Sequence, residues 1–254
     1  MSSPTKLYQN KAAQYGLQQS TIKTDAFDLT VFTNGLVNTD ASSLHVYIEG
    51  DGQPFIQKRY INRDPTSRKG VALELLALDD TPSVLIGRPC YHQPNARNCQ
   101  DSKWWTSHRY SQEVVDAMTQ ALQQLNIKHL PTTLIGHSGG GALAMLVATE
   151  IKEITNIVTI NANINPREWT QHHGYTPLFG SLNPIDYFQT IEQIHQLNLI
   201  GEQDKNIPYS TWLKQLNKPA NSEVRIIPNF THSCCWKKLW PNILNEIGPN
   251  LSND

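Results

Sequence analysis

Short unbroken or alternating apolar runs trade places along this chain with longer stretches whose apolar positions recur every three or four residues. The first kind reads as strand and the second as helix. Phe27-Asp28-Leu29-Thr30-Val31-Phe32 alternates apolar and polar residues as an edge strand does. Leu44-His45-Val46-Tyr47-Ile48 is a stronger strand that stops at Glu49-Gly50-Asp51-Gly52. Residues 71–78 read as a helix and 83–87 as the next strand. Ser111 is a good N-cap for a helix with Val114, Met118, Leu122 and Leu125 on one face. Residues 130–135 form a short buried strand, 139–148 a packed helix of small residues, and 156–160 another buried strand. Residues 161–187 read as a long irregular stretch. A strand over 197–200, a helix over 209–216, a strand over 224–227 and a last helix from Trp236 towards Ile247 complete the pattern. Strands alternating with helices from end to end predict an α/β fold, a mostly parallel sheet covered on both faces with a small cap or none. No linker and no internal repeat interrupts the alternation, so residues 1–254 read as one domain, with 1–25 a peripheral N-terminal segment.

Charge and length exclude several classes of partner. With 21 Lys and Arg against 22 Asp and Glu the formal charge is −1, which gives no reason to expect nucleic acid. No apolar stretch is long enough to span a bilayer. Met1-Ser2-Ser3-Pro4-Thr5-Lys6 has no hydrophobic core and does not read as a secretory signal as written. The expected location is the cytoplasm, or the periplasm or exterior if a leader has been removed. The four cysteines bear on that choice. Cys90 and Cys99 flank a polar loop that a disulfide would pin, and Cys234 and Cys235 are adjacent. Two local pairs lean towards an oxidising compartment. Neither pair has zinc-ligand geometry. Cys90–Cys99 is expected to be bonded; Cys234 and Cys235 are compatible with a vicinal bridge or with two reduced thiols.

The chemistry concentrates at Gly136-His137-Ser138-Gly139-Gly140, between the strand ending near residue 135 and the helix from residue 139. Strand, G-x-S-x-G and helix together make the nucleophile elbow of the α/β-hydrolase fold. The turn is tight enough that the neighbours of the serine must be small, and the reward is a hydroxyl held clear of the sheet beside a helix N-terminus. A serine hydroxyl needs a base, and the base needs an orienting acid, in the chain order Ser, Asp or Glu, His. Among the nine histidines only His232 follows the later strands. Asp204, in Gly201-Glu202-Gln203-Asp204-Lys205-Asn206-Ile207-Pro208, is the favoured acid over Glu202 and Asp186. Gly139 N–H supplies one oxyanion donor and Asp51 N–H the second, provided that the Asp51 carboxylate points away. His137 is read as a spacer, not the base. Trp105, Trp169 and His172 are candidates to line a substrate cleft, with simple packing the alternative.

Several blocks beyond the elbow carry a resemblance to a group of small bacterial α/β-hydrolases over nearly the whole chain. They are 45–52, Arg88-Pro89-Cys90, Trp105-Thr106-Ser107 with Arg109, 177–184, and His232-Ser233-Cys234-Cys235-Trp236. The resemblance implies the triad Ser138, Asp204 and His232. It also implies a secretory or lipoprotein leader, a periplasmic or membrane-tethered mature protein and an oxidised Cys90–Cys99 pair. The expected activity is that of a serine hydrolase cleaving a small-molecule ester, thioester or amide through an acyl-enzyme, with no metal or organic cofactor. A peptidase of the same fold, or a binding module with an idle triad, are the alternatives.

Overall fold

In the computed structural model, the described residues are 2–37, 41–93, 95–125, 130–213 and 221–248. An N-terminal helix α1 (Pro4–Gln14) leads into β1 (Gln18–Lys23) and β2 (Asp28–Thr33), followed by β3 (Leu44–Ile48). A small hairpin, β4 (Phe55–Ile56) and β5 (Tyr60–Ile61), precedes α2 (Val71–Leu76), β6 (Ser83–Ile86), α3 (Gln112–Gln124) and β7 (Thr132–His137). Next come α4 (Gly139–Ala148), β8 (Ile154–Ile160), α5 (Pro166–His173), β9 (His195–Gly201), α6 (Tyr209–Leu213), β10 (Ser222–Ile227) and α7 (Trp236–Ile247).

Eight strands form one sheet in the order β1-β2-β6-β3-β7-β8-β9-β10. β1 and β2 are antiparallel additions at one edge, and the strands from β6 to β10 run parallel. The central strands β3, β6 and β7 are buried along their whole length, which requires helices on both faces. One apolar layer gathers α3 and α4 against the sheet; the other gathers α1, α2 and α7. No large cap stands among the described residues. The consequence for chemistry is geometric: the parallel strands end together, and their C-terminal loops converge on one rim.

Three expectations need correction. β2 is an interior strand; the edge belongs to β1, whose polar sequence Gln18-Gln19-Ser20-Thr21-Ile22-Lys23 is mostly exposed and gives little hydrophobic signal. Residues 161–187 are not irregular throughout. They contain α5, whose start is marked by the Asn165 side chain accepting from Glu168 N–H and by Pro166 in the first turn. Its end is marked by Gly174 at φ 62°. Residues 1–25 are peripheral only in part, because Tyr8 on α1 is 2% exposed, packs against Phe32 and His92, and donates to Glu49. The helix expected over 209–216 is present as α6, while its last residues, 214–216, lie outside the described ones.

Candidate active site

Ser138 sits between β7 and α4 at φ 55° and ψ −121°, a backbone conformation that non-glycine residues rarely adopt. Neighbouring glycines make the turn possible. A methyl group on Gly136 would lie 2.4 Å from the Gly140 carbonyl, and one on Gly140 would lie 2.1 Å from that of Ile48. The serine hydroxyl is 3.0 Å from His232 Nε2, and His232 Nδ1 is 2.7 Å from Asp204 Oδ2. Asp204 follows β9 and His232 follows β10, so the three residues come from three separate strand ends. The Asp204 carboxylate is fully buried and its Oδ1 also accepts from Asn206 and Ile207 N–H, which fixes its rotamer. That carboxylate selects the His232 tautomer with the proton on Nδ1, leaving Nε2 to accept from the serine. Burial pushes the His232 pKa below its ordinary value; the Asp204 carboxylate pulls it back up only in part, and His137 opposes it. The rival acids are elsewhere. Asp186 pairs with Arg167, and Glu202 accepts from Asn229 N–H.

His137 does more than fill the elbow. Its Nε2–H donates to the His232 carbonyl at 2.8 Å, and its Nδ1 lies 3.6 Å from Glu49 Oε1. Asn161 also donates to the Thr231 and His232 carbonyls, so the loop bearing the histidine is held from two sides. Burial raises the Glu49 carboxyl, but the His137 ring, Gly50 N–H and the Tyr8 hydroxyl outweigh it and hold the pKa below the ordinary range.

Asp51 differs from expectation in an informative way. Its carboxylate does not turn away from the Ser138 loop; a methyl group on Gly139 would lie 2.1 Å from Asp51 Oδ1. The charge is tolerated there because it is neutralised. Arg88 donates to Oδ1 at 2.5 Å, Arg109 to Oδ2 at 3.0 Å and the Tyr110 hydroxyl to Oδ2 at 2.6 Å. Burial alone would raise the Asp51 pKa, but the two guanidiniums and the hydroxyl hold it far below the carboxylate range. Tyr91 donates to the Asp51 carbonyl at 2.9 Å and Arg88 to that of Arg109 at 3.0 Å, so the loop is braced along its backbone too. The N–H groups of Asp51 and Gly139 donate to no described residue.

An open cleft of about 1060 Å³ reaches Ser138 and His232. Trp169 lines it, anchored by its Nε1–H donating to the Asn206 carbonyl at 3.1 Å. Trp105 does not: it is buried in the apolar layer and donates to the Asn62 carbonyl. His172 does not line the cleft either; on α5 it contacts His173. Trp105 is a packing aromatic and His172 an exposed one, and nothing in their spacing distinguished them from Trp169. Asn206 was missed altogether. Its Nδ2 lies 3.3 Å from His232 Nε2, and its position two residues after Asp204 is the signal that could have found it. Cys90–Cys99 and Cys234–Cys235 are both disulfide-bonded.

Comparison with known proteins agrees with this fold. Residues 88–191 match the family model described as alpha/beta hydrolase fold. No curated protein sequence matches the chain. Among solved structures, Est1E from Butyrivibrio proteoclasticus superposes with a TM-score of 0.62 at 14% identity, covering 90% of this chain and 96% of its own. An esterase of Pyrococcus furiosus gives 0.62 at 13%, covering 97% and 94%. A putative lipase from Acinetobacter baumannii AYE gives 0.61 at 15%, covering 97% and 94%. At such identities the likeness concerns the fold, and the resemblance to small bacterial α/β-hydrolases read from the sequence is borne out at that level.

Proposed function

We propose that this chain, an α/β-hydrolase fold with a serine at its elbow, is a serine hydrolase of carboxylesterase type working through an acyl-enzyme. The observation that carries the reading is the hydrogen-bonded line from Ser138 Oγ through His232 to the buried Asp204 carboxylate. In this reading His232 Nε2 takes the serine proton as Oγ adds to the substrate carbonyl. The imidazolium that forms is stabilised by Asp204 and then protonates the leaving alcohol. The N–H groups of Gly139 and Asp51 receive the oxyanion, aided by the N-terminal end of α4. Water, deprotonated by the same histidine, releases the acid and regenerates the serine.

An ester is favoured over a peptide bond because the cleft is open and its solved structural relatives bear the names esterase and putative lipase. The two bonded cysteine pairs favour an oxidising compartment, periplasmic or extracellular, since cytosolic thiols are kept reduced.

The test needs no knowledge of the natural substrate. Labelling with a fluorophosphonate probe, followed by mass mapping, should modify Ser138 alone and fail in Ser138→Ala. The same substitution should abolish turnover of 4-nitrophenyl butyrate while leaving the thermal unfolding midpoint near that of the parent. Folded parent protein that takes up no probe would refute the reading.

A further inference from the structure

The lining of the cleft is electrically lopsided. Lys58, Arg59, Arg68 and Lys69 all line it, and all four are exposed. None of them makes an ion pair with a described residue. The carboxylates that line the same cleft, Glu49 and Asp51, are already held, one by Tyr8, Gly50 and His137 and the other by Arg88 and Arg109. This is a local segregation rather than a basic protein, because the whole chain carries a formal charge of −1. Within residues 58–69 there are five cations, Lys58, Arg59, Arg63, Arg68 and Lys69, against the single acid Asp64. Asp64 is occupied in turn by the Thr5 N–H and hydroxyl.

The fold brings this segment to the reacting groups. Gly52, at φ 60°, packs so closely on residues 65–67 that a methyl group on it would lie 2.0 Å from the Pro65 carbonyl. That contact sets the segment against the Asp51 loop. Lys69 Nζ donates to the Ser233 hydroxyl at 2.7 Å, one residue from His232. The β4–β5 hairpin carries Lys58 and Arg59 at its turn and adds Phe55 and Ile61 to the lining. The segment 169–178 adds Trp169, Tyr175, Pro177 and Leu178, none of them charged. A cleft that sets apolar side chains beside cations with no ion-pair partner among the described residues fits a molecule with an apolar part and an anion. Charges focused in a cleft attract a counter-ion more strongly than the same charges on a flat surface, and the guanidinium fork suits phosphate and carboxylate oxygens.

We propose that residues 58–69 form the recognition site for an anionic group on the substrate, a phosphate or carboxylate, so that the enzyme acts on anionic esters in preference to neutral ones. The inference rests on the hydrolase reading of Ser138 and goes beyond it by naming the substrate class. The anion sits either on a soluble ester or on a lipid headgroup, and the experiment separates these sources.

Two matched soluble pairs are compared by kcat/KM. Mono(4-nitrophenyl) glutarate against 4-nitrophenyl butyrate puts the charge on the acyl side. 1-Butyryl-glycerol 3-phosphate against 1-butyryl-glycerol puts it on the alcohol side. Vesicles of phosphatidylglycerol and of phosphatidylcholine are compared in parallel for release of fatty acid. In at least one comparison the anionic member should be preferred by about tenfold, the scale of two or three partly exposed ion pairs. The preference should shrink in 0.5 M NaCl and in the double variant Lys58→Gln/Arg68→Gln, with 4-nitrophenyl butyrate turnover unchanged. A preference in a soluble pair assigns a soluble substrate; one confined to the vesicles assigns a lipid headgroup. Equal or better turnover of every neutral member overturns the inference, as does a double variant that slows charged and neutral esters alike. Fluorophosphonate labelling of Ser138 without any charge preference removes this inference alone. Absence of labelling removes the hydrolase reading with it.

Discussion

Replacing Asp51 by Asn tests whether the loop that faces Ser138 is held by its buried ion cluster. The change preserves shape and removes one negative charge. Arg88 and Arg109, with side chains 1% and 5% exposed, then keep their positive charges without a counter-ion, and the new amide presents donors where acceptors stood. Breaking a buried pair by removing one partner costs about 3–5 kcal/mol, because the stranded charge cannot recover its hydration. The Asp51 side chain is itself 15% exposed, which lets water relieve part of the loss, so the lower end, about 3 kcal/mol, is the expected cost. For a chain of this size that lowers the melting temperature by about 6–12 °C.

Urea denaturation and calorimetry measure the cost directly. Asp28→Asn is the comparison, since Asp28 meets the half-exposed Arg97 at 3.5 Å and should cost no more than about 0.5 kcal/mol. The depressed Asp51 pKa contributes stability that is present above the unfolded carboxylate value and is lost only as pH falls through the much lower folded value. The cost of Asp51→Asn should therefore be flat from pH 5 to 9, and 0.5 M NaCl should not erase it. A loss below about 1 kcal/mol, or one that vanishes in salt, would refute the claim that this cluster is buried and mutually dependent.

Two pH experiments follow from other groups. Burial, only partly offset by Glu49 and Asp64, pushes the His92 pKa down to about 4, so the folded protein holds this ring neutral where the unfolded chain takes up a proton. Stability from this residue is complete above about pH 6.5 and falls on acidification towards pH 4, by roughly 3 kcal/mol. His92→Asn, which tolerates the φ of 63°, should flatten unfolding free energy between pH 6.5 and 4.5. An unchanged acid limb would count against the assignment. Activity should follow His232: kcat/KM for a neutral ester rises with pH as the base loses its proton, with the inflection below the ordinary histidine value. An inflection well above that value, in a variant-free enzyme, would mean that Asp204 and not burial dominates the ring.

What the sequence made legible is what short-range physics encodes. β3, β7 and α4 emerge from apolar runs because both faces of each are buried, and the elbow emerges because its glycines are sterically required. Asp204 and His232 follow from chain order once the strands are counted. The edge strand β1 and the hairpin β4–β5 do not emerge. β1 is polar, and the hairpin turns through Gln57 and Lys58 at φ 51° and 58°, positions without the Gly or Asn that marks such a turn. α5 had its signals in Asn165, Pro166 and Gly174, which the aromatic residues around them obscured. The surroundings of Asp51 were illegible for another reason. Its partners Arg88 and Arg109 lie 37 and 58 residues away, and only the β3–β6–β7 topology brings them together.

That topology also explains why the site behaves as one unit. The residues following β3 reach the whole of the elbow: Glu49 meets His137, Gly50 lies against Ser138, and the Asp51 carboxylate lies against Gly139. His137 in turn holds the carbonyl of His232, whose ring faces Ser138. Two lines of histidine and carboxylate therefore run side by side, Asp204 to His232 to Ser138, and Glu49 to His137 to the His232 backbone. In the proposed reaction the first is the proton path, and the second fixes the loop that carries it. Tyr8 ties the N-terminal helix to the second line through Glu49. Groups that share partners in this way do not contribute independently. Substitutions at Glu49 and His137 should consequently cost less together than the sum of their separate effects, whereas either combined with a change at the exposed Gln171 of α5 should simply add.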